Sequence, residues 1–553
     1  MDGQVRGADA LLMALETLGV RYIFGLPGDT SVGFYRALVK SRTIRHIMMR
    51  DERGAGYAAD AYARFSGKIG VVEAPSGAGA LYLMPAVAEA HESRVPLLAI
   101  TTETEFKLRG HGVLTELDQV SVFEPITKLS VRVTSPESIS WWIERAIHLA
   151  CASRPGAVHI AVPKDVLEER IEVSKGHSNH LEPQCPLYRP LPDLDEIDKA
   201  INALLKAQRP IIVAGGGVIR SGAWDALVEF AEALHIPVAT TISGKGAIET
   251  THPLHVGVVG ENGALDVSNS TLEQADLVFF IGCKTGSVAT SHWSNPKPGE
   301  KRIIHLDIDP DVVGRNYPEA IKLVGDAKAT LEAFIDIVED EDLTRAPWFS
   351  GIELPEYKPR REPPFSGRDI IEAINSLVDD EFVVVADAGT PTPFAAAFLS
   401  IRKRGRKLVI PRGFGGLGYA LGASVGAAFA TQLPVLALVT DGSFGMAAGE
   451  LESIARLQLP ITIVLCDNSM FGWIEKLEMD KLGSRFSVEF NKIEYDEIAQ
   501  GFGLNAYKVS SLDELRRAID ESVRLGAPSL IWVPILPESK DKPPVPGWHS
   551  EKD

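Results

Sequence analysis

Residues Leu433–Trp473 read LPVLALVTDGSFGMAAGELESIARLQLPITIVLCDNSMFGW, and this stretch decides the fold. Pro434–Val439 is an unbroken apolar run, as expected of a strand buried on both faces, and it stops at Thr440-Asp441-Gly442-Ser443. Met446–Leu457 carries Met446, Leu451, Ile454 and Leu457 at helical spacing, so one helix is expected there. Ile461–Cys466 is a second buried-strand run, ending at Asp467-Asn468. A strand, helix and strand in that order form a right-handed βαβ unit, whose two strands end at the same sheet edge. Asp441 and Asn468, 27 positions apart, therefore meet in the crevice where open α/β sheets bind ligands. A carboxylate and an amide oxygen suit a hard cation such as Mg²⁺, which would bridge to a diphosphate. Taken alone, Asp-Gly-Ser is more often a turn with an Asp cap. The Asn at the matching strand end weakens that plainer reading.

Outward from this unit, apolar strand runs alternate with helical stretches along the whole chain, the pattern of α/β domains with parallel sheets. Two Pro-rich breaks interrupt it. His177–Asp193 reads HSNHLEPQCPLYRPLPD, and Ala346–Pro364, within a break around 340–364, holds five prolines. Pro resists helix and sheet interiors, so both read as linkers. The expected organisation is three doubly wound α/β domains at 1–176, 190–340 and 365–537, with a loosely ordered polar tail after Pro537. The length of 553 residues agrees, at about 100–200 residues per domain.

Composition narrows the partners. With 56 Lys+Arg against 74 Asp+Glu, the net charge of −18 supplies no global field for nucleic acid or an anionic membrane. No apolar run approaches the roughly 18 residues a membrane span needs, and the first residues have no apolar core of a signal peptide. A cytoplasmic protein without nucleic-acid or membrane partners is expected. The four cysteines, Cys151, Cys185, Cys283 and Cys466, lie far apart, so neither a disulfide framework nor a zinc site is indicated.

At Asp441 and Asn468 the chain resembles the thiamine diphosphate (ThDP) enzymes, whose motif is G-D-G, a spacer of this length, and N. The resemblance makes Asp441, Asn468 and the carbonyl of Met470 the Mg²⁺ ligands, with Gly442 and Ser443 beside the cofactor. Thr440 stands where the family has its first Gly, and Asp467 where it has its first Asn, so both side-chain ligands are kept. Ile47–Ala55 followed by GAGYAADAYAR is similar to the family's R-H-E-x-x-A-x-x-A-A-x-x-Y-A-R segment. That places at Glu52 the carboxylate that bonds the aminopyrimidine N1′ and activates thiazolium C2. The plainer reading of Glu52 is an acid at a helix N-terminus, favoured by the dipole. Arg412–Gly422 (RGFGGLGYALG) resembles the family's G-x-M/L-G loop, with Gly416 against the cofactor and Leu417 propping its bent shape. Gly389 and Thr390, after the strand Phe382–Val385, match where relatives hold the diphosphate. Each of these loops has a plainer reading as a turn within the core.

The resemblance covers all three segments in family order and points to an acetolactate synthase-like enzyme. It implies a homodimer or homotetramer, because Glu52 and Asp441 lie in different domains and the family closes each site between subunits. The middle segment resembles a domain that binds FAD in the synthases, ADP in oxalyl-CoA decarboxylase and nothing in many decarboxylases. Here Gly282–Val288 (GCKTGSV) lacks the Arg of the synthases' flavin segment, so FAD stays open. The first-domain loops that cover substrate also depart: Ser76-Gly77-Ala78-Gly79-Ala80-Leu81 and Leu114-Thr115-Glu116 replace the common motifs, and Gln119 lies nearby. Trp473-Ile474-Glu475-Lys476-Leu477 lacks the synthases' M-V-x-Q-W. The expected function is a carboligase or decarboxylase of small 2-oxo acids. A 2-hydroxyacyl-CoA lyase or oxalyl-CoA decarboxylase-like enzyme acting on an acyl-CoA is the alternative. A non-catalytic ThDP-fold protein is a third class, and intact Glu52, Asp441 and Asn468 speak against it.

Overall fold

The structure, a computed structural model, describes residues 4–152, 154–172, 184–377 and 381–548. The segment 173–176 of the first expected domain, and 177–183 of the first expected linker, lie outside them. Strand β1 (Gln4–Arg6) pairs antiparallel with β8 (Arg170–Glu172). Between them lie β2 (Tyr22–Gly25), β3 (Arg45–Met48), β4 (Gly70–Ala74), β5 (Leu97–Glu103), β6 (Ser130–Arg132) and β7 (Ala157–Pro163). These form a parallel sheet in the order β3-β2-β4-β5-β7-β6.

The middle sheet is built from β9 (Pro210–Ala214), β10 (Val238–Thr240), β11 (His255–Val258), β12 (Leu277–Ile281), β13 (Arg302–Asp307) and β14 (Ile321–Val324), in the order β11-β10-β9-β12-β13-β14. The last is built from β15 (Val383–Ala386), β16 (Leu408–Val409), β17 (Val435–Thr440), β18 (Ile461–Asp467), β19 (Asn505–Lys508) and β20 (Ser529–Pro534), in the order β16-β15-β17-β18-β20-β19. All three are parallel, six-stranded and covered by helices, so the protein is a three-domain α/β chain. The first and last sheets share one winding pattern, and the middle one has the dinucleotide-fold order. Each has a switch point where winding reverses: β2/β4, β9/β12 and β15/β17. Ligand crevices open at the C-terminal strand ends of such points.

The first and last domains are fused by helix Glu52–Ser66 lying on helix Tyr419–Thr431. Small residues make this possible: a Cβ on Gly426 would lie 1.8 Å from the carbonyl oxygen of Ala58, and one on Gly422 2.6 Å from that of Gly54. Polar clamps flank the seam. Tyr419 Oη donates to Asp60 at 2.6 Å, and the buried Glu89 carboxylate accepts from the N–H groups of Arg412, Gly413 and Phe414. Burial pulls Glu89 up, but Arg64 and those amides outweigh it and hold its carboxyl below the usual range.

Three sequence expectations are corrected. The single helix over Met446–Leu457 is two, Asp441–Ala447 and Glu450–Arg456. The first begins at Asp441 because the Thr440 hydroxyl caps it, accepting from Ser443 N–H at 3.3 Å. The second begins after Gly449 with Glu450 turned inward, where its carboxylate accepts from Arg50 N–H at 3.2 Å. Cys151 and Cys185 form a disulfide, because the end of helix Ile139–Cys151 and the following linker approach to 4.8 Å between Cα atoms. Spacing along the chain carries no information about that approach. The tail after Pro537 is anchored: Glu538 is 1% exposed, and Asp541 accepts from Ser366 Oγ and Gly367 N–H at 2.8 and 2.9 Å. Among the described residues no helix is long and apolar enough to cross a membrane.

Candidate active site

The last sheet delivers its loops to one edge. At the end of β17, the Asp441 carboxylate is 4% exposed; Oδ1 accepts from Gly442 N–H at 2.8 Å and Oδ2 from Met470 N–H at 3.2 Å. At the end of β18, Asp467 accepts from Ser469 N–H at 2.9 Å and from Trp532 Nε1–H at 2.8 Å. Ser469 adopts a left-handed φ of 55°, the turn that carries Met470 back toward Asp441. The Met470 carbonyl is not taken by the bridge around it, whose bonds run Phe471 to Val488 (2.9 Å) and Phe490 to Ser469 (2.7 Å). Asn468, half-buried, donates through Nδ2 to Glu538 Oε2 at 3.1 Å.

Burial pushes the Asp441 carboxyl well up, and the like charge of Asp467 adds to the push. A buried carboxylate raised in this way is one that a divalent cation would return to its charged form. The available donors are a carboxylate, an amide oxygen and a main-chain carbonyl, all hard oxygens suited to Mg²⁺. Among the described residues no cluster of three His, Cys, Asp or Glu is arranged for a metal, so a cation here would rest on this mixed set.

The neighbouring loops converge on the same edge. Gly389 follows β15 with φ of 99° and open space where a Cβ would stand. Thr390, 7% exposed, donates its hydroxyl proton to Glu538. Asp387, fully buried and pushed up to about 6 by that burial, accepts from Tyr419 and Ala420 N–H at 2.8 and 3.0 Å, holding the N-terminus of the helix after the glycine loop. Ser443 Oγ accepts from Gly418 N–H at 2.6 Å, which joins the Asp441 turn to Leu417 and its loop. Leu417 is half-buried, and a Cβ on Gly416 would lie 2.5 Å from Tyr57 Oη.

Glu52 opens helix Glu52–Ser66, behind Asp51, whose side chain caps the helix by accepting from Arg53 and Gly54 N–H at 2.8 and 3.3 Å. Burial pushes the Glu52 carboxyl up, and the charge of Asp51 adds to that. Gly79 leaves room for it, since a Cβ there would stand 2.9 Å from Glu52 Oε1. Its neighbours reach the last domain: Arg53 donates to the Met446 carbonyl at 2.5 Å. Among the described residues, however, no hydrogen bond or ion pair joins Glu52 to Asp441, Asn468 or Met470 within one chain.

Other expected residues are occupied locally. Glu116 accepts from Gly110, Gly112 and Val113 N–H, closing its own loop. Gln119 is fully buried between Thr101 and the Thr102 carbonyl. Sequence reasoning missed Glu538, Glu89 and Glu450. The one usable signal was for Glu538: it follows a terminal buried strand, so it reaches the same edge as Asp441.

At the middle switch point, Gly217 and Gly282 touch so closely that a Cβ on Gly217 would lie 2.5 Å from Gly282 Cα. A cavity of about 590 Å³ opens beside them, lined by Arg220, Lys284, Arg406 and Arg412 among others. Burial, and the other arginines around each, push Arg220 down to about 10 and Arg406 to about 9. The cavity is cationic although the synthases' Arg is missing.

Three family models match the chain in order. They are thiamine pyrophosphate enzyme, N-terminal TPP binding domain (residues 5–122), central domain (197–334) and C-terminal TPP binding domain (387–533). A probable acetolactate synthase large subunit of Methanocaldococcus jannaschii is 33% identical, covering 96% of this chain and 92% of its own length. The acetolactate synthase of Mycobacterium bovis is 32% identical over 88% of this chain and 79% of its own. An acetolactate synthase large subunit of Haemophilus influenzae is 29% identical over 94% and 92%. With each domain matched and relatives that span nearly the whole chain, the protein belongs to the thiamine pyrophosphate enzymes, as an acetolactate synthase-like member.

Proposed function

We propose that the protein is a ThDP- and Mg²⁺-dependent carboligase or decarboxylase of small 2-oxo acids. The observation that carries this is the convergence of Asp441, Met470 and Asn468 at one sheet edge beside the β15/β17 switch point. Asp441 Oδ, Asn468 Oδ1 and the Met470 carbonyl would hold Mg²⁺. Gly442 and Ser443, with Gly389 and Thr390 across the crevice, would receive the diphosphate, and Gly416 with Leu417 would shape the cofactor's bend. Glu52 would hold the proton shared with the aminopyrimidine N1′; burial pushes its carboxyl up, which makes it hold a proton more readily than an exposed glutamate. Bound ThDP would supply the thiazolium nucleophile and the electron sink for the carbanion left by decarboxylation.

Closure of each site by a second copy, as a homodimer or homotetramer, goes with this reading. Exposed apolar side chains in segments flanking the site, Leu81, Tyr82, Phe414 and Phe486, support the same reading. The cationic cavity and the paired glycines of the middle domain support a nucleotide there, FAD or ADP. A cytoplasmic location goes with this reading.

The test is incubation of the purified protein with ThDP, Mg²⁺ and a panel of 2-oxo acids, with CO₂ and products read by mass spectrometry. Turnover of at least one 2-oxo acid is expected, and none across the panel refutes the substrate class. The absorbance spectrum of the same sample reads bound flavin directly.

A further inference from the structure

Glu538 has no role in the reading above, yet its carboxylate, 1% exposed, is in direct hydrogen-bond contact with the proposed metal ligand Asn468. It follows β20, whose C-terminal end lies at the same edge as that of β18. Its position is fixed on both sides. Ile535 N–H donates to the Asp467 carbonyl at 2.8 Å, Leu536 N–H donates to that of Phe365 at 2.8 Å, and Asp541 caps the helix Gly367–Asn375. The carboxylate has two partners: Thr390 donates to Oε1 and Asn468 Nδ2 donates to Oε2 at 3.1 Å. The site is made for this pair by Gly472, where a Cβ would stand 1.7 Å from Glu538 Oε2 and 2.6 Å from Asn468 Nδ2.

The chemistry of the contact is directional. An ionised carboxylate only accepts hydrogen bonds, and of the two ends of an amide only the nitrogen donates. Glu538 therefore holds Asn468 with Nδ2 toward itself, which leaves Oδ1 as the end free to face a cation. An Asn amide without such a partner presents oxygen or nitrogen with similar ease, and the nitrogen end cannot ligate a metal. We propose that Glu538 is a positioning residue that locks the Asn468 amide in its metal-ligating orientation and ties the Thr390 loop to it. This rests on the Mg²⁺–ThDP reading of the site. It assigns to the tail a role in cation affinity without direct contact with the metal. Outer partners of metal ligands typically contribute 10–100-fold in metal affinity.

The test uses the full chain. ThDP binding is followed calorimetrically while Mg²⁺ is varied, and Mn²⁺ binding is followed by electron paramagnetic resonance as a readout independent of turnover. Glu538→Gln keeps the shape but offers both a donor and an acceptor, so Asn468 is no longer held one way. The expected result is a 10–100-fold rise in the Mg²⁺ and Mn²⁺ dissociation constants, with ThDP binding recovered at saturating Mg²⁺ and ligand-free melting unchanged. Glu538→Asp keeps the charge but withdraws the carboxylate from Asn468 by one methylene and should weaken the cation in the same way, which covers a Glu538→Gln variant that fails to fold. Unchanged cation affinity in both variants overturns the proposal. Tighter ThDP binding in either also overturns it and identifies Glu538 as an anion competing with the diphosphate. A wild-type chain that binds ThDP without any Mg²⁺ dependence instead overturns the metal reading itself, which separates the two failures.

Discussion

Asp441 Oδ2 accepts the backbone hydrogen of Met470 at 3.2 Å, a contact between two strand ends that lie 29 residues apart. It sets the loop after β18 against the turn after β17, and so places the Met470 carbonyl and Asn468 around one carboxylate. Asp441→Ala removes both the anion and this tie. The expected outcome is loss of Mg²⁺-dependent ThDP affinity by more than about 100-fold, beyond what removal of an outer-shell partner typically costs. Calorimetric titration with and without Mg²⁺ reads it directly. Retained affinity would exclude Asp441 as a ligand.

Glu52 is argued to move a proton, not to anchor the cofactor. Glu52→Gln is nearly isosteric and keeps a hydrogen-bonding group, so ThDP–Mg²⁺ affinity should change by no more than about threefold. Exchange of the thiazolium C2 proton should slow by roughly 10²–10⁴-fold, the range a positioned acid–base group contributes. Proton NMR of the quenched cofactor measures the exchange, and an unchanged rate would remove Glu52 from this role.

What the sequence made legible follows from how local each signal is. The strands β17 and β18, and the site residues at their ends, are readable because unbroken apolar runs must be buried and parallel crossovers have one hand. The break at Gly449 was not readable, since the reason for it is the Arg50 N–H that Glu450 accepts from, 400 residues away. The Cys151–Cys185 pair failed for the same reason: closure depends on where the linker lies on the first domain. Glu89 and Glu538 look like ordinary surface acids in a one-dimensional pattern, and only their three-dimensional partners show that they hold the glycine loop and Asn468.

The seam between the first and last domains is predicted to be intolerant of a single methyl. Gly426→Ala would drive its Cβ to 1.8 Å from the Ala58 carbonyl oxygen, so a helix must shift. Overpacking of this kind costs about 1–3 kcal/mol or more. Gly501→Ala, in the helix Tyr495–Gly501, meets nothing within 4 Å and should instead be neutral or stabilising by up to about 1 kcal/mol. Urea unfolding should therefore show a lowered midpoint for Gly426→Ala and an equal or raised one for Gly501→Ala, and equal shifts would refute the packing argument.

His159 should contribute a distinct part of the acid sensitivity. It is fully buried, stacked on Phe123, with Thr101 Oγ1 at 2.7 Å from Nε2 and Ser130 Oγ at 2.8 Å from Nδ1. Burial, with the Arg132 charge adding to it, pushes the imidazole down to about 3, against an ordinary value of 6.5. Between those values the unfolded chain binds a proton that the folded chain does not, so stability rises with pH there. The neutral ring's contribution is fully present above about pH 6.5 and is lost progressively as pH falls toward 3. His159→Gln keeps a donor and an acceptor but cannot titrate. It should lower stability at pH 7.5 through lost packing, yet show a shallower decline between pH 6.5 and 4.5 than wild type. Urea midpoints across that range check this, and parallel declines in the two proteins would show that the acid response comes from other groups.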